Sequence, residues 1–406
     1  MLARNFNLDY FIKNHVVCRP ESLFKQDLEK HNDSISAFIK DARILVIGGA
    51  GTIGSSYIKA LLKYKPSTLV VVDKDENALA ELVRDLRSSN DYNIPADFIC
   101  YPFNYASNSF KQVFKQTQAF DLVANFAAHK HVRSEKDKFS VEAMLENNVF
   151  HLYDLLEQLK NKPPKIFFSV STDKAANPVN VMGASKKMME ELMFSYKDDF
   201  LVRSARFANV AFSNGSLPFA FLRRIEKRQP LSSPSDVRRY FVSPEESGQI
   251  CLLASLVPEG HTISFPKLDP KRDMKTFSHI AERLLEELGY EINYCKSEDE
   301  AKSFEDPKAY IDNYPVCFFT TDTSGEKMYE EFYTDSEDVD FTTMAEMGVI
   351  TKQNIRDKSE LRSLINKLKE AFADRHASKA DIINLMKTLI IDFNHIETGK
   401  NLDQKM

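Results

Sequence analysis

Apolar runs of five or six residues alternate with amphipathic stretches over the first half of the chain. "RILVI" (43–47) leads into a glycine-rich turn and then "SSYIKALLKY", a segment of helical period. "STLVVVDKD" reads as a second buried strand, "ALAELVRDLRSS" as a helix and "ADFICYPFN" as a third strand. "AFDLVANFAA", "KIFFSVS" and "FLVRSARFANV" supply a fourth, fifth and sixth strand, with helical segments between most of them. Strands alternating with helices predict an α/β fold, a Rossmann-type doubly wound parallel sheet with helices on both faces.

Beyond residue 211 the pattern loosens. "LPFAFLRRIEKRQP", "PEESGQICLLASLV" and "KTFSHIAERLLEELG" read as helices, mixed with short strands such as "HTISFP". This predicts a smaller C-terminal substrate-binding lobe over the carboxyl ends of the strands. Two acidic, loop-like stretches follow, "KSEDEAKSFEDP" and "YTDSEDVD", and then a tail rich in helix formers. The expected organisation is an N-terminal extension (1–40), a dinucleotide-binding domain (41–210), a substrate lobe (211–345) and a helical C-terminal extension (346–406).

Composition narrows the function classes. The chain has 406 residues, 43% hydrophobic and 28% charged, with net charge −5, so it carries no basic footprint for nucleic acid. No apolar run reaches the roughly 18 residues of a membrane span. The opening segment lacks the apolar core of a signal peptide. Five scattered cysteines, without a CxxC pair, fit reduced thiols in a cytoplasmic protein.

Gly48, Gly51 and Gly54 follow the first strand and open a helix, and Gly49, Gly51 and Gly54 also satisfy GxGxxG. Such a turn lets the backbone approach a pyrophosphate, and the helix N-terminus supplies N–H donors. Asp73 ends the second strand, where a carboxylate accepts from both ribose hydroxyls and repels the extra phosphate of NADP; NAD is the expected cofactor. The bland alternative is a tight strand-to-helix turn without a cofactor, but the turn, the strand order and the acid agree.

"FAAHKHV" (126–132) follows the fourth strand. Ala127 and Ala128 are small enough for close approach to a cofactor. His129 and His131 have no recognisable third partner for a metal, so no metal site is expected; Lys130 and His131 are candidates to line a substrate cleft. The fifth strand runs into Ser171-Thr172-Asp173-Lys174, at the strand ends where ligands bind in open α/β sheets. By spacing alone this stretch reads equally as a solvated loop before the Asn177-Pro178 turn. Met182 and Lys186 share one helix face at i, i+4. Met182 also fits a core position and Lys186 a surface cation.

Taken together, "GGAGTIGS" (48–55), "AAHKHV" (127–132), "STDKAANPVNVMGASKKMMEE" (171–191), "RFANVAFSNGS" (206–216), "RRYFVSPEES" (238–247) and "GEKMYEEF" (325–332) resemble the nucleotide-sugar 4,6-dehydratases. These are extended short-chain dehydrogenases/reductases, and the likeness is narrowest to UDP-N-acetylglucosamine 4,6-dehydratases of the capsular-polysaccharide type. It spans residues 43–335 and leaves the two ends of the chain unexplained. In that family the branch that inverts C5 has Tyr four residues before the lysine, and the branch that retains C5 has Met. Met182 therefore implies the retaining branch rather than a dead site.

The resemblance implies NAD as cofactor and a nucleotide sugar, UDP-N-acetylglucosamine, as substrate. The product would be a 4-keto-6-deoxy sugar for surface polysaccharide or glycan synthesis. Lys174 would be the C5 base and Asp173 the acid for the 6-hydroxyl. Thr172 would hold the 4-oxygen, and Lys186 would bind the nicotinamide ribose beside Met182. The acceptor of the 4-hydroxyl proton stays open between Asp173 and Lys174. Cofactor residues would be Gly48, Gly51, Thr52, Ile53, Gly54, Asp73, Asn104, Ala127, Ala128 and Lys186. Substrate residues would be Lys130, His131, Asn209, Asn214, Ser216, Arg239 and Glu326. Departures include Asn104 in place of the usual Asp, Ile47 before the first glycine, and Thr323-Ser324 before "GEK". A homodimer or larger homo-oligomer is expected. The alternatives are a GDP-linked or C5-inverting dehydratase, an epimerase, or a catalytically silent NAD-binding protein.

Overall fold

The computed structural model describes residues 6–131, 135–304, 310, 313–321, 331–353, 355–390 and 392–396. Among these the first strands are β1 (Arg43–Ile47), β2 (Thr68–Asp73), β3 (Asp97–Pro102), β4 (Leu122–Asn125), β5 (Ile166–Val170) and β6 (Leu201–Ala205). Next come β7 (Asn209–Val210), β8 (Leu231–Pro234), β9 (Arg238–Val242), β10 (Thr262–Pro266) and β11 (Met274–Thr276). The last are β12 (Ile292–Tyr294), β13 (Tyr314–Phe319), β14 (Asp338–Asp340) and β15 (Met347–Lys352).

Nine strands form one sheet in the order β14-β15-β10-β6-β5-β4-β1-β2-β3. Pairing is parallel from β3 across to β10 and antiparallel at β10–β15 and β15–β14. The chain winds outward from β1 to β3, returns, and winds the other way from β4 to β6. This is the α/β, doubly wound Rossmann arrangement, and its strand order reverses between β1 and β4, where a crevice opens at the carboxyl ends. β4 and β5 are buried at every position, and β1 and β2 at all but one terminal residue. Helices cover both faces, which is why these strands are continuous apolar runs and not alternating ones.

The helix Val181–Phe194 is buried around almost its whole circumference despite carrying Lys186, Glu190 and Glu191. Its Met188, Met189, Leu192 and Met193 share a core cluster with Leu364, Ile365 and Leu368 of the C-terminal helix Lys358–Ala373. A helix packed between a sheet and further helices has no free face. Arg356 Nε donates to Glu191 Oε2 at 2.6 Å and ties the C-terminal segment to it.

The sheet crosses the boundaries expected at 210 and 345. β10 and β15 lie beside β6, and the helix Pro244–Leu256 packs on the helix Thr52–Leu61 so closely that a Cβ on Gly248 would stand 2.2 Å from the Ser56 carbonyl oxygen. Separate from the large sheet are two three-stranded ones, β11-β9-β7 and β12-β13-β8. A second core there takes in Phe11, Ile12, Val16 and Val17 from the N-terminal segment, packed with Phe212, Phe221 and Phe241. Buried Arg19 anchors that segment through Glu246 and Asp273, at 2.9 and 2.7 Å. Among the described residues no helix is long and apolar enough to cross a membrane.

Candidate active site

The glycine turn closes over the end of β1. Gly48 has φ +73°, a left-handed conformation suited to glycine, and a Cβ there would lie 2.6 Å from the Ala127 nitrogen. A Cβ on Gly54 would lie 2.3 Å from the Gly48 carbonyl oxygen, so this glycine permits the turn to pack on its own helix. At Gly51 the nearest atom would be that same oxygen at 3.5 Å; this position faces open space at the N-cap of the helix Thr52–Leu61. Thr52 and Ile53 form its half-buried first turn. Asp73 accepts from the Ala50 N–H at 3.0 Å and the Asp75 N–H at 3.1 Å, bracing the turn from β2. Asp73, Asn104, Ala127 and Ala128 line one cleft of about 180 Å³ with Gly48 and Gly51. A helix N-terminus, an open glycine and a carboxylate along one cleft fit a dinucleotide.

The chemical residues gather where β5 ends. Thr172 caps a short helical turn, Asp173–Ala175. One Asp173 carboxylate oxygen accepts from Thr172 Oγ1 at 2.7 Å, from the Lys174 N–H at 2.9 Å and from Lys174 Nζ at 3.1 Å. Asp173 itself is 2% exposed, whereas Thr172 and Lys174 are half-buried. Thr172 and Lys174, not Asp173, are the more exposed members of the turn. The stretch is therefore a packed, hydrogen-bonded turn and not a solvated loop.

Lys186 is buried as well. Its Nζ donates to the Val170 carbonyl oxygen at 3.0 Å, immediately below this turn. Burial pulls its pKa down to about 8, against the opposing pull of Glu190. Met182, one helical turn earlier, is 3% exposed and belongs to the core cluster. His129 lines the cofactor cleft, and burial and then Lys74 lower its pKa. Lys130 is exposed as a residue, yet burial of its ammonium lowers its pKa.

The expected substrate residues divide into two groups. Asn214 donates its N–H to Thr52 Oγ1 at 3.0 Å, which joins the loop before Ser216 directly to the glycine-turn helix. The ring of His131 abuts Gly215 in the same loop, and Ser216 caps the helix Leu217–Glu226. Asn209 and Arg239 sit instead in the β11-β9-β7 sheet, Asn209 donating to the Tyr240 carbonyl at 3.4 Å and Arg239 to that of Arg238 at 2.9 Å. Glu326 lies outside the described residues. No metal-binding cluster of His, Cys, Asp or Glu occurs among the described residues.

Several residues of this centre carried no signal of their own in the sequence. Buried Asn148 donates to the His129 carbonyl and to Ser185 Oγ, each at 2.9 Å, and so links the loop after β4 to the helix of Lys186. Ser171 donates to Glu190 at 2.6 Å. Glu190 in turn meets Arg206, which is fully buried and pairs with Glu190 at 2.8 Å and Glu337 at 2.7 Å. Arg206 could have been suspected as a charge closing an apolar strand; its partners could not.

Known proteins resemble this chain in sequence and in fold. The family model described as "Polysaccharide biosynthesis protein" matches residues 44–352. An uncharacterized membrane protein of Methanocaldococcus jannaschii is 29% identical, covering 85% of this chain and 96% of its own. The capsular polysaccharide biosynthesis protein CapD of Staphylococcus aureus is 26% identical over 82% of this chain, which spans only 54% of that relative's length. A UDP-N-acetylglucosamine 4,6-dehydratase (inverting) of Campylobacter jejuni is 25% identical over 58% of this chain and 70% of its own. In fold, the structure of Pen from Bacillus thuringiensis covers 81% of this chain and 98% of its own, with TM-score 0.63 and 24% identity. With three-quarters of its length inside that one family model, this chain belongs to the polysaccharide biosynthesis protein family.

Proposed function

We propose that the chain is an NAD-dependent nucleotide-sugar 4,6-dehydratase, acting on UDP-N-acetylglucosamine and retaining configuration at C5. The observation that carries this reading is the Thr172-Asp173-Lys174 turn: a hydroxyl and an amino group on half-buried residues share one buried carboxylate oxygen. Bound NAD would hold the hydride from C4 and return it to C6, so the net redox change is zero.

The proton steps fall to the chain itself. Thr172 Oγ1 binds the 4-oxygen and passes its proton to Asp173, which is too buried for direct contact. Lys174 Nζ, which must enter the cycle as the neutral amine, takes the C5 proton, made acidic by the 4-ketone, and becomes the ammonium. Asp173, now protonated, returns its proton through Thr172 to the departing 6-hydroxyl, which leaves as water. Lys174 then reprotonates C5. Lys186 holds the nicotinamide ribose and keeps positive charge beneath the site. Asn214, Ser216, His131 and Lys130 line the sugar and diphosphate side, with Asn209, Arg239 and Glu326 as further contacts.

Retention rests on Met182 standing where a proton-donating Tyr marks the inverting branch. An inverting outcome is the second reading, since the relatives that bear a dehydratase name are called inverting. Proton NMR of a reaction in deuterated water separates the two. The expected product has a C6 methyl group, deuterium at C5 and the gluco configuration there. Inverted C5 overturns retention, and a product without a methyl group overturns dehydration.

A further inference from the structure

Beyond the family match, residues 394–396 lie against the turn that follows the Thr172-Asp173-Lys174 stretch. Asn394 donates its N–H to the Pro178 carbonyl at 3.1 Å, and Ile396 donates to the Val179 carbonyl at 3.0 Å. Between them the side chain of His395 turns inward and is 3% exposed. Its Nε2 stands 3.5 Å from Glu135 Oε1, whose side chain is 6% exposed. Neither of those two buried atoms has a hydrogen-bond partner among the described residues, so each faces the other as its nearest polar counterpart in a charge-pair contact. The other oxygen of Glu135 accepts from the Val181 N–H at 2.5 Å, capping the helix that carries Met182 and Lys186. Two residues on, a Cβ at Gly183 would stand 2.4 Å from the Lys174 carbonyl oxygen. The tail is thus in contact with the 178–181 turn, and that turn leads into backbone packed against Lys174.

We propose that residues 394–396 form a positioning strap for the active site, with His395 as its key through Glu135. Without the strap, the 178–181 turn keeps only one side of its backbone bonding, and an uncompensated Glu135 oxygen is left buried. Helix Val181–Phe194 would then start from a looser turn, and Lys174 would lose a fixed neighbour. The rate of a reaction that depends on a placed base is sensitive to such looseness, whereas the glycine turn belongs to a different strand and helix and is affected less. The consequence for rate rests on the dehydratase reading; the consequence for backbone order does not.

The test uses the full chain with three substitutions. Asn394→Pro removes one strap donor. His395→Ala removes the inward group, and His395→Gln restores an N–H donor near the position of Nε2. Two readouts are taken, amide hydrogen exchange over residues 176–184 and steady-state turnover of UDP-N-acetylglucosamine. Asn394→Pro and His395→Ala are expected to speed exchange in that peptide by about tenfold. They should lower kcat by about tenfold while KM and NAD affinity each change by less than about threefold. His395→Gln should recover most of both losses. Unchanged exchange in Asn394→Pro and His395→Ala overturns the strap. Faster exchange with unchanged kcat overturns its positioning role, as does a His395→Gln variant no better than His395→Ala. If the wild-type chain does not turn over the sugar, the dehydratase reading fails while exchange still decides the strap.

Discussion

Lys186 Nζ donates to the Val170 carbonyl at 3.0 Å, which fixes a buried ammonium one residue before the Ser171–Lys174 stretch. The helix thus delivers a buried positive charge to the end of β5, next to the Thr172-Asp173-Lys174 turn.

That charge is costly to the fold. Burial lowers the pKa of Lys186 from 10.5 to about 8, so the folded chain releases this proton before the unfolded chain does. Its stability is full above the unfolded value and is lost as pH falls toward the folded one. Lys186→Met should therefore be the more stable protein at pH 7, by on the order of 1–3 kcal/mol, while losing turnover. Its advantage should shrink between pH 8 and pH 10. Thermal melts of both proteins across that range check this; a variant that melts earlier at pH 7 refutes it.

Lys174 and Thr172 carry the proposed proton steps, and neither touches the glycine turn. Lys174→Ala should reduce kcat by about a thousandfold and Thr172→Val by about a hundredfold, within the usual contribution of a positioned acid or base. NAD affinity, followed by fluorescence titration, should stay within about twofold of wild type. Dehydration by Lys174→Ala at the wild-type rate would show that the base lies elsewhere.

Two glycines of the turn should separate folding from binding. Gly51 has ordinary φ of −70° and open space around it, so Gly51→Ala should melt like wild type. Its methyl group would enter the cofactor cleft and weaken NAD by about tenfold or more, as a crowded phosphate contact does. Gly54→Ala meets the Gly48 carbonyl and should lose both stability and NAD binding. Calorimetry paired with NAD titration tells the two outcomes apart.

Arg206 holds two buried carboxylates. Arg206→Met leaves Glu190 and Glu337 without their cation and should cost about 3–5 kcal/mol. Glu337→Gln keeps an acceptor for Arg206 and should cost less. Urea unfolding midpoints measure both; equal, small losses would mean that water replaces the guanidinium.

The strand pattern, the glycine turn, Asp73 and the Thr-Asp-Lys stretch were legible because each is a local feature with a local signature. An apolar run bounded by a turn announces a buried strand, and a polar cluster at its end announces a crevice. Asn104 illustrates the limit of such reading. It lines the cleft beside the glycine turn, but its side chain also accepts from the Ala106 N–H at 2.9 Å, a turn role invisible in a spacing argument. β10 shows the same limit at larger scale: "HTISFP" was recognisable as a strand, but nothing in its residues says which sheet receives it.

By itself, then, the sequence determined the doubly wound α/β class, the place of the glycine turn and the strand-end position of the Thr172-Asp173-Lys174 stretch. Those follow from backbone period, glycine stereochemistry and strand-end position, all set within a few residues. The tertiary structure decided that Lys186 is a buried cation and not a surface one, and that Asp173 is screened by its own neighbours. It also paired Arg206 with Glu337, 131 residues away, and brought His395 to Glu135. Contacts of that kind depend on how whole elements pack, because a charge chooses its partner only after the apolar faces around it have closed.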